Sequence, residues 1–301
     1  MPDEAARVGI VLRTKNRPWF LRRSLSDIAA QDFTAWDLHI VNDGGERRDV
    51  DAAIAELPAE MRRRVTSTQN SAALGRSAAA NQGIAALETE YVVLHDDDDL
   101  WNPTFLSRTV EWLDEHPGDG GVVARTEIVY EEGADDSVVF SEVGRAPFWP
   151  GMQEITYTDL LQINRAVPIS FLYRRSLHVD VGPYREDLHA AEDWDFNLRV
   201  ALRSHIGFIN GPPLAFWMQR VGVEGEIGNS MFALAESHRR SDAKVRDDAL
   251  REYAARNGPG LALYLTRFIS DEVARQLDSR PSDLQRLART VRGWRPRRRE
   301  Q

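Results

Sequence analysis

The chain has 301 residues, of which 42% are hydrophobic and 28% are charged, and its formal net charge is −9. This length and composition are ordinary for a globular protein with one large domain, or with one domain and an appendage. The negative charge argues against general nucleic-acid binding. Because there is no cysteine, disulfides, cysteine-ligated zinc sites and thiol catalysis are excluded.

Apolar runs in the sequence are too short for membrane insertion. None approaches the roughly 20 apolar residues of a spanning helix, and residues 1–7 lack the apolar core of a signal peptide. We therefore expect a cytoplasmic protein. The arginine-rich residues 286–299 leave two interpretations open, a solvated tail or a peripheral contact with a partner or with anionic lipid at the inner face of the plasma membrane.

Strand and helix patterns alternate through the first hundred residues. We predict strands at 8–12, 38–41, 65–68 and 91–94, with helices that begin at Pro18 after an Asn16 N-cap and at Val50 and Leu74. This alternation predicts a mostly parallel sheet with right-handed crossovers.

The later elements are less regular. We predict a helix around 105–113, strands at 121–130, 169–173, 206–209 and 214–218, a loop or ragged hairpin at 131–151, and helices at 190–202, 233–256 and 261–277. We expect a catalytic domain at 1–228, with halves at about 1–103 and 104–228, and a helical extension at 229–301. Its helices could pair with a second subunit in a homodimer or lie against the core.

Four consecutive aspartates, Asp96 to Asp99, follow the predicted strand at 91–94. Neighbouring carboxylates repel one another, and a cation that prefers hard oxygen ligands, such as Mg²⁺ or Mn²⁺, would stabilise them. Open α/β sheets bind ligands at the carboxyl ends of their strands, which is where the cluster falls. The alternative, which the run taken alone favours, is a solvated acidic turn before a helix.

Two further loops are predicted to open on the same edge of the sheet. Residues 13–18 follow the first strand, and residues 42–45 (Asn-Asp-Gly-Gly) follow the second. Asp43 offers the acceptor that the imide N–H of a pyrimidine needs, and Thr14 could hold the other edge of such a base. Farther along, residues 192–193 (Glu-Asp) begin a helix, where the helix dipole and a catalytic role are competing explanations for the acids.

The order of these segments resembles the family 2 glycosyltransferases, which have the GT-A fold. The family patterns T-x-N-R, D-D-G-S, N-x-G-x-S-x-A-R-N-x-G, D-x-D-D-x-W-x-P and E-D-W-D resemble residues 14–17, 42–45, 70–83, 96–103 and 192–195. The resemblance covers about residues 8–220. It implies a Rossmann-like, three-layer α/β/α fold with a mostly parallel mixed sheet and a helical C-terminal extension. It also implies metal-dependent, inverting transfer from a nucleotide-diphosphate sugar by a hexosyltransferase-type enzyme.

The resemblance implies roles for residues on the donor side. The residues that would bind the donor are Thr14, Asn16, Arg17, Asp43, Arg76, Asp96 and Asp97. Asp43 would contact the base, which favours a UDP sugar and leaves a dTDP sugar open. Asp98 would ligate Mn²⁺ or Mg²⁺, and Asp99 would support the metal site or the donor sugar.

On the acceptor side, Asp193 would be the general base that takes the proton of the attacking hydroxyl, with Glu192 beside it. The family commonly acts in cell-envelope or exopolysaccharide assembly, so the implied acceptor is a glycan or a lipid-linked glycan. Residues 148–150 (Phe-Trp-Pro) could stack on an acceptor sugar or simply anchor a loop.

Three positions depart from the family pattern. Asn42 stands for the first acid of D-D-G-S, Ala80 stands for an arginine, and residues 219–223 lack the histidine of a Y-R-x-H-like segment. Arg76 or Lys15 would then have to hold the diphosphate. The metal would rest on Asp98 and the phosphates, or Glu224 or Glu226 would replace the histidine.

Two other classes of protein remain open. A sugar nucleotidyltransferase would share an α/β fold and metal-binding acids, but it normally has a glycine-rich phosphate loop with basic residues near its N-terminus, which residues 13–18 do not resemble. A non-catalytic GT-A scaffold that binds nucleotide or glycan would explain the missing arginine and histidine.

Overall fold

The computed structural model describes residues 5–133, 140–220 and 235–278. The chain divides into two compact units, Met1–Asp242 and Ala243–Gln301. The predicted domain boundary at 228, Glu224, Glu226 and the basic residues 286–299 lie outside the described residues, so the expectations for them stay predictions. Within the described ranges, none of the helices combines the length and hydrophobicity needed to cross a membrane.

The described residues form strands in the following order. The strands are β1 (Val8–Thr14), β2 (Trp36–Asn42), β3 (Val65–Gln69), β4 (Tyr91–Asp96), β5 (Leu100–Trp101), β6 (Asp119–Ala124), β7 (Thr126–Gly133), β8 (Phe140–Pro147), β9 (Phe171–Arg174), β10 (His205–Ile209) and β11 (Ala215–Arg220). Seven of them form a central sheet in the order β10-β6-β9-β4-β1-β2-β3, in which only β9 runs antiparallel to its neighbours. The prediction of a mostly parallel mixed sheet is confirmed.

The helices of the described residues are α1 (Pro18–Ala29), α2 (Arg47–Ala55), α3 (Ala59–Arg62), α4 (Arg76–Ala85), α5 (Phe105–Glu115), α6 (Tyr157–Gln162), α7 (Leu177–Asp180), α8 (Glu192–Arg203), α9 (Ala235–Asn257) and α10 (Gly260–Asp278). Within the first unit, helices pack on both faces of the central sheet. Alternate residues of one strand point to opposite faces. In β1, Ile10 and Leu12 pack with α1, α2 and α5, while Val11 packs with α4, α6 and α8. Two apolar cores therefore enclose the sheet, which gives the expected three-layer fold.

A second sheet of four strands, β5-β11-β7-β8, was not predicted. Residues 121–130 were expected to be one strand, but β6 ends at Ala124 and β7 begins at Thr126, and the two strands lie in different sheets. The backbone of Arg125 turns away from the first sheet, since its carbonyl accepts from Leu214 N. β7 and β8 pair antiparallel, so the expected hairpin is present in the described part of 131–151.

Two local predictions were wrong. The single helix expected at 50–64 is two helices, α2 and α3, because Pro58 precedes the second one and cannot continue the first. Asn16 is not the N-cap of α1; that position belongs to Arg17. Asn16 instead has a left-handed φ of 53°, and its Oδ1 accepts a hydrogen bond from Glu46 N.

Within the second unit, α10 exposes much of its apolar surface. The apolar side chains at least 41% exposed in this helix are Leu261, Leu263, Tyr264, Leu265, Phe268, Ile269 and Val273. An apolar face of this extent is typical of an interaction surface.

Candidate active site

A cavity of about 950 Å³ opens at the carboxyl ends of β1, β2 and β4. The register of the sheet explains why the predicted segments meet there. Thr14 pairs with Asn42 across β1 and β2, and Arg13 pairs with Asp96 across β1 and β4, so the following residues emerge side by side. The volume is near the upper end of the roughly 300–1,000 Å³ range of small-molecule sites.

The four aspartates line this cavity, and ion pairs from Arg13 of β1 and Arg17 of the following loop hold three of them. Arg13 binds Asp96 at 2.5 Å, and Arg17 binds Asp97 at 3.1 Å and Asp98 at 3.0 Å. Thr14 Oγ1 donates to Asp97 Oδ2 at 2.6 Å. The acidic run is therefore not a solvated turn.

Arg220, at the end of β11, contacts the aspartate run from the second sheet. Its side chain is fully buried, pairs with Asp98 and lies 3.6 Å from Glu131. Its guanidinium also lies over the rings of Phe20 and Phe140, at 4.5 and 5.8 Å from their centroids. Because arginine keeps its charge in such surroundings, it fixes Asp98 as a carboxylate.

Burial and charge act differently on neighbouring aspartates. Burial opposes ionisation of Asp98, but Arg17 and Arg220 hold its pKa below the usual range. Burial, partly offset by Arg17, raises the pKa of Asp97 to about 7. Burial and the charge of Asp98 raise the pKa of Asp99, whose Oδ1 accepts from Met218 N at 2.9 Å. Asp97 and Asp99 therefore bind a proton more readily than an exposed aspartate does, whereas Asp98 stays ionised.

Asp43 also lines the cavity, and backbone amides fix its carboxylate. Oδ1 accepts from Leu74 N at 2.8 Å, and Oδ2 accepts from Gly75 N at 2.9 Å. Gly44 permits this arrangement, since its φ is +82° and a Cβ would lie 2.5 Å from Ala73 N. Each carboxylate oxygen has two lone pairs, so Oδ2 retains acceptor capacity for a ligand N–H.

Opposite the aspartates, Glu192 and Asp193 enter the cavity from the first turn of α8. Glu192 is buried and lies 3.3 Å from Arg76 and 4.0 Å from Arg13. Burial, then the charge of Glu192, raises the pKa of Asp193 to about 6. Asn164 Nδ2 donates to Asp193 Oδ2 at 2.8 Å. An aspartate with such a pKa is suited to accept a proton near neutral pH.

Left-handed backbone marks this site. Among the described residues, Asn16, Trp149 and Ala191 are the non-glycine residues with positive φ, at 53°, 53° and 58°. Trp149 and Ala191 line the cavity, and Asn16 lies between two residues that do. Such conformations cost about 1–3 kcal/mol each and cluster at functional sites.

The predicted site residues are thus nearly all brought together. Those that line the cavity are Thr14, Arg17, Asp43, Arg76, Asp96, Asp97, Asp98, Asp99, Glu192 and Asp193. Asn16 is the exception, because its side chain binds the backbone of Glu46 instead. Within the described ranges, no three His, Cys, Asp or Glu side chains form a group that could hold a metal ion by themselves.

Sequence reasoning gave no role to several side chains that complete the site. Arg220 corresponds to the arginine of the Y-R-x-H-like segment, and that match is the signal that could have assigned it a role. Asn164 belongs to no motif. His238, from α9, lines the cavity, and burial, together with the charge of Arg76, lowers its pKa. Gln219 is 3% exposed, lines the cavity and has an Oε1 without a hydrogen-bond partner in the described structure.

Comparison with known proteins gives matches over the same region. Residues 9–182 match the family described as Glycosyl transferase family 2. The Bacillus subtilis protein named uncharacterized glycosyltransferase YwdF is 28% identical over 201 residues, which cover 65% of this chain and 68% of that protein. A Haemophilus influenzae protein named uncharacterized glycosyltransferase is 24% identical over 241 residues, which cover 78% of this chain and 80% of that one.

Solved structures share the fold. Staphylococcus aureus TarS 1–349 in complex with UDP-GlcNAc is 17% identical, with a TM-score of 0.58 over 85% of this chain and 75% of TarS 1–349. The mannosyltransferase PcManGT from Pyrobaculum calidifontis, in complex with GDP-Man and Mn²⁺, is 17% identical, with a TM-score of 0.52 over 89% of this chain and 81% of that one. Another TarS 1–349 structure is matched over 60% of its length.

Proposed function

The chain belongs to glycosyl transferase family 2, and on that premise we propose that it transfers a sugar from a nucleotide-diphosphate sugar to a hydroxyl group. The observation that carries this proposal is that Asp43, the four aspartates and Asp193 line one cavity. A nucleotide can bind at one end and a nucleophile can be deprotonated at the other. The UDP, UDP-GlcNAc and GDP-Man complexes of the structural relatives support a nucleotide-sugar donor.

For the donor base, we propose uracil, held by Asp43. The Oδ2 lone pair left over from Gly75 N would accept the imide N–H of the base. Thymine has the same imide edge, so a dTDP sugar is the alternative. Lys15, Arg17 and Arg76 line the same cavity, and their positive charges would hold the diphosphate.

The chemistry of the aspartates fits a divalent cation. Asp98 and Asp99 supply the hard oxygens that Mg²⁺ and Mn²⁺ prefer, and among the described residues Arg13, Arg17 and Arg220 pair with the other aspartates and with Asp98. The protein would supply few ligands, so the donor phosphates would have to complete the coordination sphere. A bound cation would neutralise the charge that develops on the departing diphosphate.

For the acceptor step, we propose Asp193 as the general base. With its pKa raised to about 6, Asp193 is still largely ionised at neutral pH, and it is a stronger base than an ordinary aspartate. A sugar hydroxyl that loses its proton to Asp193 while it attacks the anomeric carbon would displace the diphosphate in one step, with inversion. The acceptor proposed is a glycan or a lipid-linked glycan.

The test is nucleotide release from a panel of UDP, dTDP and GDP sugars, with Mn²⁺ or EDTA, for wild type and Asp98→Ala. The same panel is followed by thermal shift, which reports donor binding when no acceptor is present. We expect metal-dependent stabilisation by one donor that is lost in Asp98→Ala. If no nucleotide sugar stabilises the protein under either condition, the donor site is wrong and a scaffold role takes its place.

A further inference from the structure

Beyond the residues assigned so far, the cavity has an aromatic wall formed by Phe148, Trp149 and Trp217. Phe148 meets Trp149 and Trp217 edge to face, with centroids 5.7 and 5.5 Å apart. All three side chains are partly buried, and Phe148 and Trp217 also pack against the apolar core on one side. Three large rings that remain open to a cavity are characteristic of a ligand-binding surface.

Trp149 is held rigidly within this wall. Its φ is +53°, its Nε1 donates to Asn164 O at 3.1 Å, and the Arg165 guanidinium lies over its ring at 4.2 Å. Arg165 does not line the cavity, so it covers the ring without filling the ligand space. A left-handed backbone at a residue other than glycine is strained, and such residues cluster at functional sites.

The aromatic wall is connected to both ends of the reaction centre. At one end, Asn164 accepts from Trp149 through its backbone oxygen and donates to Asp193 through its side chain. At the other end, Trp217 precedes Met218, whose backbone N–H binds Asp99. A molecule resting on the wall would therefore lie within the cavity beside both the general base and the aspartate cluster.

We propose that the aromatic wall is the acceptor subsite and that it takes a pyranose ring. This inference rests on the proposed function and adds the location and the chemical class of the acceptor. The C–H face of a pyranose is flat and apolar enough to stack on an indole, while its hydroxyl groups project from the rim toward polar neighbours such as Asp193 and Asn164. An acyclic polyol has no such face.

Saturation-transfer NMR tests the subsite directly. The probes are the methyl pyranosides of glucose, galactose, mannose and N-acetylglucosamine, with glycerol 3-phosphate as an acyclic control, each with and without UDP and the diamagnetic cation Mg²⁺. We expect transfer to the ring protons of at least one pyranoside. Trp149→Leu should weaken that pyranoside's binding about tenfold, because the flat aromatic face on which the sugar ring stacks is lost.

Two further variants separate stacking from folding. Trp149→Phe keeps an aromatic face but loses the N–H to Asn164, so it should retain most binding. Trp112→Phe, in α5 and outside the cavity, should bind as wild type does. No transfer to any pyranoside, transfer to glycerol phosphate alone, or equal transfer in Trp149→Leu would overturn the inference. A UDP thermal shift in the same samples reports the donor site separately, so failure of the subsite and failure of the proposed function are distinguished.

Discussion

Asn164 donates a 2.8 Å hydrogen bond from Nδ2 to Oδ2 of Asp193, and the amide that makes this bond is itself fixed. Its Oδ1 accepts from Asn197 Nδ2 at 3.0 Å and from Ala166 N at 3.3 Å, which settles which end of the amide faces Asp193. The side-chain N–H of Asn164 therefore holds the orientation of the Asp193 carboxylate. Asn164 thus acts as a positioning residue.

The hydrogen bond between Asn164 and Asp193 predicts how kcat depends on pH. The pKa of Asp193 is raised to about 6, so its basic form, and with it kcat, should be lost as the pH falls through about 6. Asn164→Ala removes a donor that favours the carboxylate, so the pKa of Asp193 should rise and the acid limb of the rate profile should move to higher pH. A lower rate with an unmoved acid limb would mean that Asn164 supports the fold alone.

Asp193→Asn should abolish transfer without affecting the donor. An amide cannot accept the proton, and a general base contributes about 10²- to 10⁴-fold to rate. We expect kcat to fall by that factor while the thermal shift with UDP and Mn²⁺ is unchanged. Asp195→Asn is a suitable control, because Asp195 lies in the same turn of α8 but binds Arg199 rather than lining the cavity. Transfer at the wild-type rate by Asp193→Asn would remove the base assignment.

Asp43→Asn should weaken nucleotide binding. The substituted amide turns an NH₂ group toward backbone N–H groups or toward the base, and a hydrogen bond to a charged group contributes about 1.5–3 kcal/mol. The Kd for UDP, measured by calorimetry, should rise at least about tenfold. Asp51→Asn, on the exposed side of α2, should bind UDP as wild type does. An unchanged Kd in Asp43→Asn would exclude Asp43 from base recognition.

Arg220→Met should destabilise the protein strongly. Removing one partner of a buried ion pair leaves an uncompensated charge, which costs about 3–5 kcal/mol, and Asp98 and Glu131 both lie against Arg220. The double variant Arg220→Met/Asp98→Asn should recover part of that loss in urea unfolding. Arg22→Met, which breaks the exposed pair with Glu56, should cost about 0–1 kcal/mol. If the changes in unfolding free energy of the two single variants simply add in the double variant, Arg220 and Asp98 are not coupled.

The residues of this site that the sequence predicts are those that follow neighbouring parallel strands. Asp43 and Asp96 were predictable because β1, β2 and β4 are parallel and their carboxyl ends coincide. Arg220 and Trp217 come from the second sheet, which forms only because the chain turns at Arg125 and Leu214 N binds there. Local patterns carry no signal for that long-range pairing.

The role of Asn164 could not be predicted either, although its partners lie closer to it in the sequence. It lies in an irregular segment after α6, and its role depends on Asn197 of α8 and Trp149 of the preceding loop meeting around it. No periodicity marks a residue of this kind. By contrast, the place of Asp193 in the cavity was implied by the resemblance of residues 192–195 to the E-D-W-D pattern.

The turn at Arg125 has a consequence for how this enzyme could be re-engineered. The proposed donor contacts after β1, β2 and β4 all precede residue 104, whereas Phe148, Trp149 and Asn164 lie between residues 126 and 168. That second stretch leaves the central sheet at Arg125 and rejoins it at β9. Exchanging residues 126–168 between relatives should therefore change acceptor preference, with Trp217 and Asp193 supplied by the recipient, while the nucleotide specificity of the recipient stays in place.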